Sequence, residues 1–228
     1  MTLRRYAEIS TALQSWVDVR AEQLAASRRG GSAQQGNRAA VTGAGHLNGV
    51  DQLIGRVVSE AYGGARMLLY SNPVMSGYYR ATKKWDLLVT VDHEPALMVE
   101  YKSMSGSEGK NLNNRADEMF GVAQDARAAE EHGILPPDLL RAYVFIMGAN
   151  DASLTPVGIG YPWGNPDQIF NGASYMDRMA IMLERMRDDG LYHLAWAVGV
   201  REYPFAWFEP RDAVNWERFE TDLYAYVK

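Results

Sequence analysis

The segment AYVFIMG, Ala142–Gly148, is a continuous apolar run with no alternation of polar and apolar side chains. A strand of this kind must be covered on both faces, so it calls for a sheet with helices packed above and below it. The rest of the chain offers both kinds of element. Residues 3–28 read as a helix, with Leu13, Trp16 and Val17 at helical spacing, and Val50–Tyr62 reads as another, with Leu53, Val57 and Ala61 on one face. WDLLVTVD (Trp85–Asp92) and ALMVEYK (Ala96–Lys102) are strands by composition, and the HEP between them suits a turn. Lys110–Asn114 reads as a polar loop leading into a helix, with Asn114 as its N-cap, Asp117 as the N3 partner and Gly133 closing the end. A Gly/Pro-rich stretch, Val157–Gly172, precedes a helix over Tyr175–Asp189 whose Met176, Met179, Leu183 and Met186 form a core stripe. LYHLAWAVGV is a further strand, and Trp216, Phe219 and Leu223 mark a closing amphipathic helix. Helices and strands interleave, so the class is α/β or α+β around a mixed sheet.

At 228 residues, one domain over 1–228 is the expectation, and the 47% hydrophobic fraction is ample for a core. The absence of cysteine excludes a disulfide framework, a cysteine zinc site and a thiol nucleophile. The opening MTLRRYAEIS lacks the apolar core of a signal peptide, and no apolar run is long enough to span a bilayer, so a cytoplasmic protein without a membrane partner is expected. With 23 Lys+Arg against 28 Asp+Glu the formal charge is −5, which argues against non-specific coating of nucleic acid but leaves room for a local basic cleft. Arg28–Gly49 carries six glycines and three arginines: a mobile loop by composition, and equally a basic arm that could order on a polyanion.

Common chemistry motifs are missing. There is no phosphate-binding GxxxxGK[ST], no HExxH, no GxSxG and no EF-hand loop. Gly43-Ala44-Gly45 begins like a dinucleotide fingerprint, but the next glycine comes one place late and no strand precedes it. His46, His93, His132 and His193 show no metal-ligand spacing, so a metal here must be a hard cation held by oxygen, Mg²⁺ or Mn²⁺.

One constellation stands out. Asp86 opens the first strand of the hairpin, and Glu100-Tyr101-Lys102 ends the second. Alternation puts Glu100 and Lys102 on one face, where charged groups at the end of an apolar strand need polar company. A hairpin turning about Glu94 would set Asp86 opposite Lys102 and Leu88 opposite Glu100, gathering two carboxylates and an ammonium. Such a set suits metal-assisted hydrolysis of a phosphodiester: the carboxylates bind the cation, and the lysine orients water or offsets developing charge. A plain ion pair at a strand end is the bland alternative. Positive charge and amide donors cluster nearby in Lys83, Lys84, Lys110, Asn111, Asn113, Asn114 and Arg115, with Arg38 in the glycine-rich arm.

Asp86 followed by Glu100-Tyr101-Lys102 on paired strands resembles the active site of PD-(D/E)XK nucleases, with Trp85 where the motif has proline. RAAVTGAGHLNGVDQLI, KKWDLLV and VEYKSMSGSEGKNLNNRADE resemble the XhoI-type type II restriction endonucleases. The resemblance implies a restriction-endonuclease-like mixed β-sheet flanked by helices. It also implies an Mg²⁺-dependent homodimer that cuts both strands of DNA at a palindromic site, CTCGAG in the family's type, beside a protective methyltransferase. On that resemblance Asp86 and Glu100 hold the metal and Lys102 is the catalytic lysine; Glu60 is a candidate for an outer carboxylate, with a plain exposed helix charge as the favoured alternative. Lys110, Asn113, Asn114 and Arg115 are the candidates for DNA contact, and Lys83, Lys84 and Arg38 for phosphate. Two rivals are a structure-selective repair or recombination nuclease and a DNA-binding module without catalysis.

Overall fold

A computed structural model describes residues 3–29, 47–106 and 108–227. The chain runs through α1 (Leu3–Arg29), α2 (Asn48–Ala61), β1 (Met67–Ser71), β2 (Val74–Ser76), β3 (Thr82–Lys84), β4 (Leu87–Val91), β5 (Glu94–Met104) and α3 (Glu108–Glu131). It continues through β6 (Leu140–Gly148), the short α4 (Asp151–Leu154), α5 (Tyr175–Asp188), β7 (Leu194–Arg201), β8 (Ala206–Phe208) and α6 (Trp216–Val227). Six strands form one sheet in the order β1-β4-β5-β6-β7-β8, while β2 and β3 make a separate hairpin. The centre, β5-β6-β7, is parallel, and the flanking pairs are antiparallel.

Strand β6, apolar from Ala142 to Gly148, lies at the middle of the sheet and is buried along its whole length, Arg141 included. Its residues alternate between two cores. Ala142, Val144 and Ile146 pack with α1, α2 and α6 through Leu13, Trp16, Ile54, Val57, Trp216 and Phe219. Tyr143, Phe145 and Met147 pack with α3 and α5 through Met119, Val122, Met176, Met179 and Leu183. The methionine stripe of α5 is therefore core, each side chain stabilising the fold by roughly 1.5–3 kcal/mol through burial. Ser174 and Asp177 close a reciprocal capping box at the start of that helix. No helix among the described residues is long and apolar enough to cross a membrane.

Three local expectations are corrected. The turn between β4 and β5 is only Asp92-His93, both at positive φ (49° and 75°), so Glu94 and Pro95 already belong to β5. Positive φ at both central positions is the geometry that matches the twist of a two-residue hairpin. The register accordingly slips by two residues, placing Leu88 opposite Met98 rather than Glu100, with Ala96 as the extra residue of a bulge between the Val89–Leu97 and Thr90–Pro95 pairs. Finally, Lys110–Asn114 is helix, not loop. The Glu108 carboxylate folds back to accept the Gly106 N–H at 2.9 Å, starting α3 six residues before the expected cap, and Leu112 is buried beneath the first turns.

Candidate active site

Strand β5 delivers the central groups. Its Val99 and Tyr101 face the α1/α2/α6 core, so Glu100 and Lys102 point the other way, towards α3. Glu100 is 3% exposed, and a carboxylate that deep needs partners. It has two: Lys102 Nζ donates to Oε1 at 2.6 Å and Lys83 Nζ to Oε2 at 2.9 Å. Lys83 comes from β3, its ammonium 5.6 Å from the centroid of the buried Trp85 ring.

Asp86 sits where the chain enters β4. Its backbone N–H donates to the Val99 carbonyl at 3.2 Å, and its Oδ2 accepts the Tyr101 N–H at 2.8 Å. Because the register slips by an even number of residues, Asp86 stays beside Glu100. Burial, and then the Glu100 carboxylate, raise the Asp86 pKa above its ordinary value, against the lowering pull of the Tyr101 N–H, Lys102 and Lys83. Asp51, in the first turn of α2, is 8% exposed and lies against the Tyr101 hydroxyl; burial and the neighbouring Asp86 push its pKa up to about 6.

Glu100 and Lys102 open into a cleft of about 650 Å³, whose walls carry Arg80, Lys83, Arg115 and Glu118. Arg115 donates to Glu118 at 2.6 Å. Asn113 and Asn114 are exposed in the second turn of α3, and Lys84 is exposed on β3. The side chain of Lys110, and Arg38 altogether, lie outside the described residues. Glu60 is not brought to this site: it stands at the far end of α2, about 13 Å along the axis from Asp51, ion-paired to Arg5. Asp51, rather than Glu60, is the α2 carboxylate that neighbours Asp86. Its signal in the sequence is an acid set among Val50, Leu53, Ile54 and Val57, the buried stripe of the helix. Arg80 has no such signal, since the hairpin that carries it shows no alternation.

Among the described residues no three Asp, Glu or His side chains gather into a metal cage. The pair Asp86 and Glu100 nevertheless suits a hard cation such as Mg²⁺, which binds through one or two carboxylates and completes its shell with water and phosphate oxygen. The two ammonium groups drawn to Glu100 show a carboxylate that attracts positive charge.

Known proteins resemble this chain over much of its length. The family described as restriction endonuclease XhoI matches residues 26–202. Type II restriction enzyme XhoI of Xanthomonas vasicola is 32% identical over 159 residues, covering 67% of this chain and 64% of that protein, just under two thirds of its length. Type II restriction enzyme BstVI of Geobacillus stearothermophilus is 31% identical over 160 residues, covering 66% and 71%. Type II restriction enzyme AbrI of Azospirillum brasilense shares 45% identity over a shorter stretch of 60 residues, 26% of this chain and 27% of that one. No solved structure matches significantly.

Proposed function

The chain belongs to the XhoI restriction endonuclease family, and from that premise we propose that it is a type II site-specific deoxyribonuclease of the PD-(D/E)XK kind. One observation carries the reading: Asp86, Glu100 and Lys102 meet on a single hairpin at the edge of a cleft walled by Arg80, Lys83 and Arg115.

In this reading Asp86 and Glu100 hold Mg²⁺, with Mn²⁺ able to substitute, and Asp51 adds negative charge behind Asp86. When bound, the cation supplies Lewis-acid polarisation of the scissile phosphate and a water of lowered pKa. The chain's own residues do the rest. Lys102, fixed by Glu100, orients the attacking water and offsets charge building on the phosphoryl oxygens. Lys83 now shares Glu100 and is the ammonium nearest to hand for a phosphate oxygen once a cation claims that carboxylate. Water attacks in line, the P–O3′ bond breaks, and the ends are a 5′-phosphate and a 3′-hydroxyl. Arg115, Asn113, Asn114 and Lys110 of α3, with Lys84 and Arg38, are the candidates for DNA contact.

Double-strand cutting at a palindrome needs two copies of the site related by a two-fold axis, hence a homodimer of this one catalytic domain. The target is CTCGAG or a close variant, and a DNA methyltransferase of the same specificity shields cytoplasmic host DNA. The test is incubation with unmethylated viral DNA in Mg²⁺ or in EDTA, followed by sequencing of the ends. Discrete Mg²⁺-dependent fragments sharing one palindrome support the reading. Ends without a common sequence indicate a structure-selective nuclease, and intact DNA under every divalent ion indicates a binding module. Asp86→Ala, Glu100→Ala and Lys102→Ala should each lower cutting at least about a hundredfold while leaving the protein folded.

A further inference from the structure

The hairpin of β2 and β3 has a use beyond delivering Lys83. Its tip, residues 77–81, is fastened to α3 by one buried carboxylate. Asp125, 3% exposed, accepts the backbone N–H of Tyr78 at 3.0 Å and of Tyr79 at 2.7 Å through Oδ1, and its Oδ2 lies 2.9 Å from Arg80 Nε. Arg80 Nη2 donates to the Gly121 carbonyl at 3.0 Å. Tyr78 stacks on His132, ring centroids 4.0 Å apart. Gly77 completes the clamp, because a Cβ there would come within 2.6 Å of both the Arg80 carbonyl and Asp125 Oδ2.

A buried acid is costly, and this one is spent on holding a single loop conformation. The result is a guanidinium fixed through Nε and Nη2, yet 42% exposed, on the wall of the cleft that holds Glu100 and Lys102. That wall carries four cations, Arg80, Lys83, Lys102 and Arg115, against the three carboxylates Glu100, Asp117 and Glu118. In a chain of net charge −5 this local excess is not a consequence of composition. A planar, pre-oriented fork is the side chain best suited to a phosphate oxygen.

Resting on the nuclease reading, we propose that Arg80 is a backbone-binding residue: it holds a DNA phosphate next to the one being cut, and Asp125 holds Arg80 in place. Such a contact positions the duplex without reading sequence.

The experiment is a fluorescence titration of a labelled duplex of mixed sequence containing CTCGAG, in EDTA and in Ca²⁺, across a range of salt. It is run on the whole protein, with circular dichroism as the check on folding. Arg80→Ala should weaken binding about tenfold, and the slope of log K against log salt should fall by about one, the signature of one lost phosphate contact. Arg80→Lys should keep the slope and recover part of the affinity; Arg80→Gln should behave as Arg80→Ala and replaces it if that variant does not fold. Unchanged affinity and slope in folded Arg80→Ala would overturn the proposal and leave Arg80 a structural tie. Cutting of the same duplex by the wild type in Mg²⁺ separates the two ideas. Cutting with an Arg80-independent slope sinks only this inference. Binding that depends on Arg80, with neither this duplex nor unmethylated viral DNA cut in Mg²⁺, sinks the nuclease reading and keeps the contact. No binding sinks both.

Discussion

His193, at the entrance to β7, illustrates how a single residue links packing to solution behaviour. Its Nδ1 accepts the Arg141 N–H at 2.9 Å, the Arg141 guanidinium and Glu130 lie close by, and the Tyr226 ring meets it edge-on at 5.0 Å. Burial first, and the Arg141 cation second, lower its pKa to about 4, against the weaker raising pull of Glu130. The sign of the linkage is then settled. In the unfolded chain the imidazole takes a proton near pH 6.5, while the folded protein refuses it until about pH 4. Its contribution to stability is therefore full above pH 6.5 and is lost as pH falls towards 4. His193→Asn keeps an acceptor for the Arg141 N–H but cannot titrate. Urea midpoints of the wild type should fall more steeply than those of His193→Asn between pH 6.5 and 4, and parallel slopes would show that the buried imidazole is not the cause. Burial is likewise the largest influence at Asp51 and Asp86, raising both carboxyl pKa values, and a neighbouring carboxylate adds to it in each case.

Among the elements, the β4–β5 hairpin does most to place the site, and its turn is under strain. Asp92 and His93 both adopt positive φ, which costs an ordinary side chain about 1–2 kcal/mol. His93 is exposed and makes only a marginal 3.4 Å contact with Arg66, so little is lost by removing its ring. His93→Gly should raise stability by about 0.5–1 kcal/mol in urea denaturation without altering the register; a loss would mean that the turn does not hold this conformation. This hairpin also shows what was legible in the sequence. Alternation in Leu97–Lys102 put Glu100 and Lys102 on one face, and that survives any even slip in register. The slip itself was not legible, because it depends on which two residues accept positive φ and on a bulge beside Pro95. The long periodic helices and the apolar β6 were readable, because burial of a regular stripe dominates their energetics. The start of α3 was not: Asn-rich segments favour caps and loops, and here Leu112 and the Glu108–Gly106 hydrogen bond override that preference. The β2–β3 hairpin, with three-residue strands and a tip ordered by a carboxylate 45 or more residues away, had no local pattern to read.

At the scale of the whole molecule, the two ends of the described chain converge on the helix that carries Asp51. Arg5 of α1, 6% exposed at its side chain, pairs with Glu60 at the end of α2, with Glu220 of α6 at 2.8 Å and with Glu8 of its own helix. One guanidinium thus ties together the three helices that cover one face of the sheet, and α2 is the one whose opposite end brings Asp51 to Asp86. A buried cation with more than one carboxylate partner contributes chiefly through what its removal leaves behind. In Arg5→Ala, Glu60 and Glu220 both lose the guanidinium they share in a partly buried setting, so the expected cost is about 2–3 kcal/mol, below the range for fully buried pairs because both acids retain some solvent contact. Replacing all three, as Arg5→Met with Glu60→Gln and Glu220→Gln, removes the two carboxylate charges that the guanidinium offsets and should recover most of that loss. Urea denaturation of the single and triple variants at neutral pH decides the matter. A cost for Arg5→Ala below about 0.5 kcal/mol would place the network with ordinary surface ion pairs. A triple variant as unstable as the single one would assign the loss to packing of the arginine's alkyl stem between the helices rather than to its charge.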